Sequence, residues 1–418
     1  MSVEKSLPIQ YKKTVVLISS GQPSLNPRLV KEADALTDAG YGVTVIYAYW
    51  NTWGSNFDKP LLLQKKWKAV LAGGSPAEKP LIYLSSRIIH KSAKWLFNKF
   101  HFRFLTNMAI SRSAYFLISA AKKHKADLYI GHNLGALGAV IKTSAKYNAK
   151  SGFDAEDFHR QEVSDDTNSF PFKICKHLED KYLPRVSYIT AASPLIAEQY
   201  AELYNCKVTS ILNVFPKKQV TVFSNKNDPL KLFWFSQTIG SGRGLAEVIG
   251  ALQHLKQYEF ELHLLGDADD NLKDYFINQL NNTPGSIHFY RPIPANEIIA
   301  FAAQFDIGLA PENKIPFNRD ICLTNKIFTY IQSGLAIIAS DTRAQTALLN
   351  QYAGIGKLYE AGNTKSLADT LLYYHQKRDE LFEIRKTALS LAQAELNWEQ
   401  ESQKFLHVIK ETLNEREF

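Results

Sequence analysis

The sequence has 418 residues, of which 45% are hydrophobic and 12% aromatic, and its formal net charge at pH 7 is +8. This length suits two α/β domains of about 200 residues each, and the apolar fraction excludes a disordered or fibrous chain. The three cysteines, Cys175, Cys206 and Cys322, are too widely separated to predict a zinc site or a disulfide scaffold.

Strands and helices alternate in the first half of the chain. The polar start, residues 1–13, lacks the apolar core of a secretory signal. Residues 14–18 form a continuous apolar run, typical of a strand buried on both faces of a parallel sheet. A helix is predicted from about Pro27 to a stop at Gly40. Further strands are predicted over residues 43–47, 127–130, 152–154, 187–190 and 208–212. This alternation predicts a doubly wound domain over residues 1–215.

A basic insert, residues 79–125, interrupts this first alternation. Between Glu78 and Asp127 the chain contains no acidic residue, and large aromatic side chains are interleaved with Lys and Arg. Ile88, Trp95 and Phe102 recur at intervals of seven residues, which suits one face of a helix. Two interpretations are open: a helix that binds an anionic membrane surface, at about 1 kcal/mol per cation, or a helix whose cations are only solvated. Nucleic acid is not expected as a partner, because no nucleic-acid-binding motif accompanies the charge.

The second half repeats the alternation after a break. Residues 216–229 are typical of an interdomain linker. Strands are then predicted over residues 231–235, 260–265, 287–290, 307–310 and 336–339. They indicate a second Rossmann-like domain over residues 229–395, and two such domains leave a cleft between them. Residues 396–418 are predicted to form an amphipathic helix that can pack back on the first domain.

Short motifs follow the predicted strands in a characteristic order. In the first half they are Gly21, Asn26-Pro27-Arg28, Gly131-His132-Asn133, Asp154-Ala155-Glu156-Asp157 and Asn213. In the second half they are residues 240–245, Leu265-Gly266-Asp267 and residues 325–334. Their order and spacing resemble those of the GT-B glycosyltransferases, in particular the retaining group 1 or family 4 enzymes. The resemblance implies two Rossmann-like domains facing a central cleft, with a hydroxyl acceptor on the first and a nucleotide-sugar donor on the second.

Two cations of the second half are candidates for stabilising a departing diphosphate. Arg243 lies in a turn between strand and helix, at the sheet edge where such folds bind ligands, and by resemblance it replaces a phosphate-binding lysine. We expect the glycines of this turn to bind the donor: Gly240, Gly242 and Gly244. Lys326 lies in the first turn of a predicted helix with Thr324 as N-cap, and the N–H groups of a helix start favour anions. The alternative is that both cations are solvated at the surface.

The motif departs from the family pattern at one position. Family members carry two glutamates eight positions apart, and the second falls here on Thr329. Asp320 lies nearest to the first position, and Glu312, further upstream, is a possible substitute. We expect these two carboxylates and Asn325 to bind donor hydroxyls. The missing glutamate also supports an alternative function, a catalytically silent scaffold that binds a sugar nucleotide or a protein partner.

The first half supplies candidates for the sugar and the acceptor. By resemblance His132 lies near the transferred sugar, where a neutral imidazole is expected to face the cleft. A histidine satisfied by nearby backbone groups is the alternative. Gly21 and Asn26, and the acids Asp154 and Glu156, are candidates for binding the acceptor. A solvated turn is the alternative interpretation of the two acids.

No metal site is expected. Asp267-Ala268-Asp269 resembles a DxD manganese motif, but it follows a strand at a place where aspartates cap the next helix. We therefore expect a metal-independent transferase with no cofactor besides its nucleotide-sugar substrate. The resemblance implies a retaining reaction in cell-surface polysaccharide or glycolipid synthesis, with a hydroxyl acceptor that can be lipid-linked. No run of about 18 apolar residues occurs, so a cytoplasmic location is expected, with peripheral attachment to the inner face of the cell membrane as an option.

Overall fold

The first domain is built around a parallel sheet. The computed structural model describes residues 11–100, 102–222, 229–240, 243–280 and 283–414. The strands β1 to β7 of this domain are Thr14–Ser19, Gly42–Ala48, Lys68–Ala72, Leu128–His132, Lys150–Ala155, Tyr188–Ala191 and Val208–Ser210. They are parallel and lie in the order β3-β2-β1-β4-β5-β6-β7. This order confirms the predicted doubly wound sheet, in which the winding reverses between β1 and β4.

Helices cover both faces of this sheet. The helices α1 to α8 are Pro27–Asp38, Thr52–Leu63, Pro80–Phe100, Thr106–Ile110, Ala114–Ala121, Leu134–Tyr147, Phe170–Tyr182 and Pro194–Tyr204. Helix α1 begins as predicted, with Pro27 in its first turn and the Asn26 side chain accepting a hydrogen bond from Leu29 N at 3.0 Å. The sequence pattern did not predict β3, because this edge strand is largely exposed and lacks a long apolar run.

The second domain repeats the arrangement with a six-stranded sheet. The strands β8 to β13 are Leu230–Thr238, Phe260–Asp267, Ser286–Tyr290, Ile307–Ala310, Ala336–Ser340 and Gly356–Tyr359. They are parallel and lie in the order β10-β9-β8-β11-β12-β13. The helices α9 to α17 are Leu245–His254, Asp270–Leu280, Ile298–Ala302, Phe317–Ile321, Asn325–Gln332, Arg343–Gln351, Thr364–Gln376, Arg378–Ala394 and Trp398–Thr412. In the described part of the chain, no helix has the length and apolar character needed to cross a membrane.

The last helix returns to the first domain. Trp398, Phe405 and Ile409 of α17 belong to the same buried apolar cluster as β1 and α1. The start of α17 is fixed by Trp398 N, which donates to Phe215 O at 3.0 Å. The chain therefore crosses between the domains twice, at the end of the first domain and before α17. Of the predicted linker, residues 223–228 lie outside the described residues.

A short helix of the second domain, α12, docks on the first. Asn318 Oδ1 accepts a hydrogen bond from Phe158 N at 2.7 Å, and Ser193 Oγ donates to Ile321 O at 2.7 Å. Phe158 and Ser193 follow β5 and β6, whereas α12 follows β11. Because each of these segments leaves the carboxyl end of its strand, the carboxyl edges of the two sheets face each other. This is the cleft expected for two Rossmann-like domains.

Candidate functional site

A buried carboxylate, Glu312, lies in the loop after β11 at the carboxyl edge of the second sheet. Lys326 Nζ donates to Glu312 Oε1 at 2.5 Å, and Arg319 Nη1 lies 3.6 Å from Glu312 Oε2. Burial raises the pKa of Glu312, but the charges of Lys326, Arg319 and Arg243 outweigh burial and lower this pKa below its ordinary value. Glu312 is therefore an ionised carboxylate that faces several cations.

Two cations from different elements act on this carboxylate, Lys326 by direct contact and Arg243 through its charge. Arg243 is exposed just before α9, and its Nη1 donates to Ser236 Oγ of β8 at 2.9 Å. Lys326 lies in the first turn of α13, is only 9% exposed, and has its Nζ 5.9 Å from the centroid of the Trp234 ring. The interpretation as a solvated surface cation therefore does not fit Lys326. An anion at this edge would be within the field of both cations.

The start of α13 adds backbone donors to these cations. Thr324 occupies the N-cap position as predicted, but its hydroxyl donates to Glu312 Oε1 at 3.4 Å, and within the described residues no side chain caps this helix. The first N–H groups of α13 are thus left for an anion or water. The side chain of Asn325 links the two domains, because its Oδ1 accepts a hydrogen bond from Asn213 Nδ2 at 2.6 Å. Its expected contact with the donor stays a prediction.

The glycines of the predicted donor turn differ from one another. Gly244 has φ +76°, and a Cβ on it would lie 2.0 Å from the carbonyl oxygen of Pro311, so only glycine fits. This close approach holds the start of α9 against the loop that carries Glu312. At Gly240 a Cβ would meet no atom within 4 Å, and Gly242 lies outside the described residues.

At the two acid positions of the family motif, the structure has an aspartate paired with Arg343 and a buried threonine. Asp320 accepts hydrogen bonds from Arg343 N at 2.9 Å and Arg343 Nε at 2.6 Å, so α12 turns its carboxylate towards α14. The expectation that Asp320 binds the donor does not fit this pairing. Thr329 is 1% exposed in the middle of α13. The carboxylate that contacts Lys326 is Glu312.

Asp154 is the centre of a buried ion pair in the first domain. Its two oxygens accept hydrogen bonds from Arg28 Nε at 2.5 Å and Arg28 Nη2 at 2.7 Å, and Thr190 Oγ1 donates to it at 2.7 Å. Both charged side chains are fully buried. The expectation that Asp154 binds an acceptor is corrected, because β5 directs its carboxylate into the domain.

His132, the last residue of β4, is also fully buried. Its Nε2 lies 3.2 Å from Glu32 Oε2, and its Nδ1 lies 3.3 Å from Glu156 Oε1. Burial lowers the pKa of His132, but Glu32, Glu156 and Asp154 together raise it to about 10. The ring is therefore protonated at neutral pH, which corrects the expectation of a neutral imidazole facing the cleft.

Sequence reasoning missed Arg28 as an ion-pair partner and missed Glu32 altogether. Both are 0% exposed on α1, where they lie one helical turn apart beside the apolar residues Leu29 and Ala33. The signal was present: two opposite charges at i,i+4 on the apolar face of a helix predict buried partners. Arg319 was missed because nothing near it in sequence marks it as a neighbour of Glu312.

Glu156 is the accessible acid of this cluster. Its side chain is 26% exposed, and Asn26 Nδ2 donates to Glu156 Oε1 at 2.5 Å. Glu156 and Asn26 therefore lie together at the carboxyl edge of the first sheet, and their role in binding an acceptor stays a prediction. Gly21 follows β1 at the same edge, where its N donates to Ser19 Oγ at 3.1 Å.

The donor atoms of this cluster do not suit a metal ion. Glu32, His132 and Asp154 offer ligand atoms within 4.8 Å of one another. However, Arg28 already holds Asp154, and His132 must lose a strongly held proton before it can coordinate a metal. In the second domain, Asp269 Oδ1 accepts a hydrogen bond from Leu272 N at 2.8 Å and so caps α10, as expected of the DxD-like motif.

Comparisons with known proteins identify the fold. No protein-family model and no curated protein matches the chain. The solved structure of a glycosyltransferase from Rickettsia africae ESF-5 is 15% identical, with a TM-score of 0.66 over 97% of this chain and 100% of that chain. Sucrose-phosphate synthase from Thermosynechococcus elongatus is 11% identical, with a TM-score of 0.69 over 97% and 100%. Anabaena HepE in complex with UDP-glucose is 13% identical, with a TM-score of 0.64 over 96% and 100%. The chain has the GT-B fold that these structures share.

Proposed function

We propose that this protein is a glycosyltransferase that moves a sugar from a nucleotide-diphosphate sugar to a hydroxyl acceptor. The observation that carries the proposal is the contact of Lys326 with buried Glu312 beside the start of α13, at an edge where the charge of Arg243 also acts on Glu312. This arrangement supports binding of a diphosphate at the carboxyl edge of the second sheet. The fold shared with HepE, which was solved with UDP-glucose, supports the same class of donor.

The chemistry of the leaving group explains why these cations matter. As the bond between the sugar and the diphosphate lengthens, negative charge accumulates on the phosphate oxygens. Arg243, Lys326 and the N–H groups at the start of α13 stabilise that charge without a covalent step. Because these groups already supply positive charge, we propose a metal-independent reaction. Glu312, held ionised by Lys326, accepts hydrogen bonds from donor hydroxyls.

The first domain orients the acceptor in this proposal. Glu156 accepts a hydrogen bond from the attacking hydroxyl, and Asn26 and the protonated His132 hold its carboxylate in place. Attack comes from the face that the diphosphate leaves, so that the sugar keeps its anomeric configuration, as in group 1 enzymes. Closure of the two domains excludes water and suppresses hydrolysis of the donor. The proposed acceptors are cell-surface polysaccharides or glycolipids, including lipid-linked ones, modified at the inner face of the membrane.

An assay over a panel of nucleotide sugars tests the proposal, with transfer to sugar acceptors and hydrolysis of the donor as readouts. Arg243→Ala should lower turnover at least about 100-fold, because it removes a group that acts on the departing charge. Arg185→Ala is the matched control, because Arg185 is also exposed but precedes β6 at the opposite sheet edge. Equal activity of both variants would refute the proposed role of Arg243, and no turnover with any donor would refute the proposed reaction.

A second candidate function is sugar-nucleotide binding without transfer. It is favoured by Thr329, which stands where related enzymes carry a glutamate and is buried in α13. Calorimetry with UDP separates the two candidates. Binding that Arg243→Ala weakens, together with no turnover in the donor panel, would identify a binding protein.

A further inference from the structure

We infer that the outward face of α3 binds an anionic membrane surface. The burial pattern distinguishes the two faces of this helix. The residues buried against the domain are Ser86, Ala93 and Phe97. On the same side, His90 Nδ1 lies 2.6 Å from Met108 O of α4, which anchors the helix. The opposite side of α3 is therefore the one that meets solvent.

This outward face is apolar, contrary to what a solvated helix requires. Leu81 is 81% exposed, Ile88 59% and Trp95 55%, and their spacing places them on one stripe. After the helix, Phe104 adds a further ring that is 82% exposed. The predicted seven-residue repeat does not continue on the helix to Phe102, because α3 ends at Phe100. Large apolar side chains exposed together on one side of a helix mark an interaction site.

Positively charged side chains accompany the apolar stripe, with no acidic residue among them. At 100° per residue, Lys99 falls on the stripe itself, Lys91 falls beside it, and Arg87 and Lys94 lie further round the helix on the same side as Lys91. The Lys99 ammonium lies 5.5 Å from the centroid of the Trp95 ring, so the charge and the ring share one surface. With no acid between residues 78 and 127, the surface complements anionic lipid headgroups. A second copy of the chain would bring like charges together, which disfavours self-association.

Other cations of the same acid-free segment lie elsewhere. Arg112 points inward and donates to Tyr49 O and Ser86 Oγ. Lys122, Lys123 and Lys125 are exposed in the turn before β4, at the amino edge of the sheet, whereas α3 follows β3 at the carboxyl edge. These three lysines provide a control with identical charge and a different position.

Co-sedimentation with vesicles tests the inference, with phosphatidylcholine vesicles that either contain or lack phosphatidylglycerol. No nucleotide sugar is present, so the result is independent of the proposed enzymatic function. The wild-type protein should bind only the anionic vesicles, and added salt should weaken this binding. The triple variant K91E/K94E/K99E should lower the partition coefficient at least about 100-fold, at about fivefold for each cation removed. The control K122E/K123E/K125E, with the same net charge, should change it several-fold at most.

A second variant separates apolar insertion from charge. I88S/W95S keeps every charge and should lower binding to anionic vesicles at least about tenfold, because it removes two large apolar side chains from the stripe. Thermal unfolding monitors the fold of each variant, and gel filtration reports self-association. Three results would overturn the inference: no binding of the wild type to anionic vesicles, equal losses in the two triple variants, or an α3-dependent dimer with vesicle binding unchanged by the substitutions.

Discussion

Glu312 and Lys326 join the two ends of the segment that carries α12. The ammonium donates to the carboxylate at 2.5 Å, and both side chains are almost fully buried. Between them in the chain, Asn318 docks α12 on the first domain through Phe158. The ion pair therefore closes a loop that contacts both domains, and the group proposed to receive the diphosphate is part of the same structural unit as the domain contact.

Removing one partner of the Glu312–Lys326 ion pair should destabilise the folded protein. Glu312→Ala leaves the Lys326 ammonium buried without its carboxylate and should lower the free energy of unfolding by about 3–5 kcal/mol. The double variant E312L/K326M should recover much of this loss, because no charge is left unpaired. Urea unfolding measures both effects. The exposed pair Asp270–Lys273, with a 2.8 Å contact, is the control, and breaking it should destabilise the protein much less than breaking the buried pair. Equal costs for the two pairs would contradict this account of burial.

The elements that sequence could predict are those with local signals. The runs at 14–18 and 307–310 are apolar throughout, and the structure places them as β1 and β11. Asn26 and Pro27 also marked the start of α1 through local capping chemistry. The short strand β13, Gly356–Tyr359, was not predicted, because only its last residue is buried and it has no continuous apolar run.

The candidate site was less predictable, because its partners are remote in sequence. Nothing around Asp154 indicates that Arg28, 126 residues earlier, takes both of its oxygens. In the same way, the resemblance pointed to Asp320, yet Arg343 binds that side chain and Glu312 lies beside the cations. Only the fold decides which of several nearby acids faces a cleft.

Substitutions at Asp154 and Glu156 should separate effects on stability from effects on acceptor binding. Asp154→Asn removes the charge that holds buried Arg28 and should destabilise the protein by about 3 kcal/mol or more. Glu156→Gln changes a partly exposed side chain and should cost less than about 1 kcal/mol in stability. In a transfer assay at a temperature where both variants are folded, Glu156→Gln should raise the KM for the acceptor severalfold. A larger change in this KM with Asp154→Asn would show that the acceptor lies closer to Asp154.

The His132 cluster predicts a pH dependence of stability. The folded-state pKa of His132 is raised to about 10, whereas the ordinary value is 6.5. Protonated His132 therefore contributes its full stabilisation of the folded protein below pH 6.5. This contribution is lost as the pH rises towards 10, at up to about 1.4 kcal/mol per pH unit. Lys31 acts in the opposite sense, because burial and Arg28 lower its pKa to about 7. The neutral form of Lys31 is favoured in the folded state, so the contribution of Lys31 to stability rises as the pH rises above about 7.

The difference between wild type and His132→Gln isolates the histidine. The excess free energy of unfolding of the wild type should shrink from pH 6.5 to pH 10, while the Lys31 contribution cancels in the difference. Urea unfolding at several pH values measures it. His254→Gln, at an exposed position whose ring lies 3.3 Å from Thr364, is the control for the same chemical change outside the cluster. A constant difference between wild type and His132→Gln would show that His132 is not held protonated.

The glycines before α9 offer a sharp steric comparison. Gly244→Ala forces a Cβ to within 2.0 Å of the Pro311 carbonyl oxygen and retains a positive φ. The strain and the clash should together cost about 2–4 kcal/mol in the free energy of unfolding. Gly240→Ala makes the same chemical change where no atom lies within 4 Å and should stay within about 1 kcal/mol of the wild type.

The same pair of variants also tests how Arg243 is positioned. Because Gly244 holds the start of α9 against the loop that carries Glu312, its substitution should displace the adjacent guanidinium. Under conditions where the variant is folded, Gly244→Ala should weaken binding of the nucleoside diphosphate of the donor identified in the panel at least about tenfold in calorimetry, at about 1.4 kcal/mol for each factor of ten. Gly240→Ala, which keeps the backbone N–H groups of the turn, should bind it as the wild type does. Unchanged affinity in the folded Gly244→Ala variant would show that the contact with Pro311 serves stability alone, and that Arg243 finds its place without it.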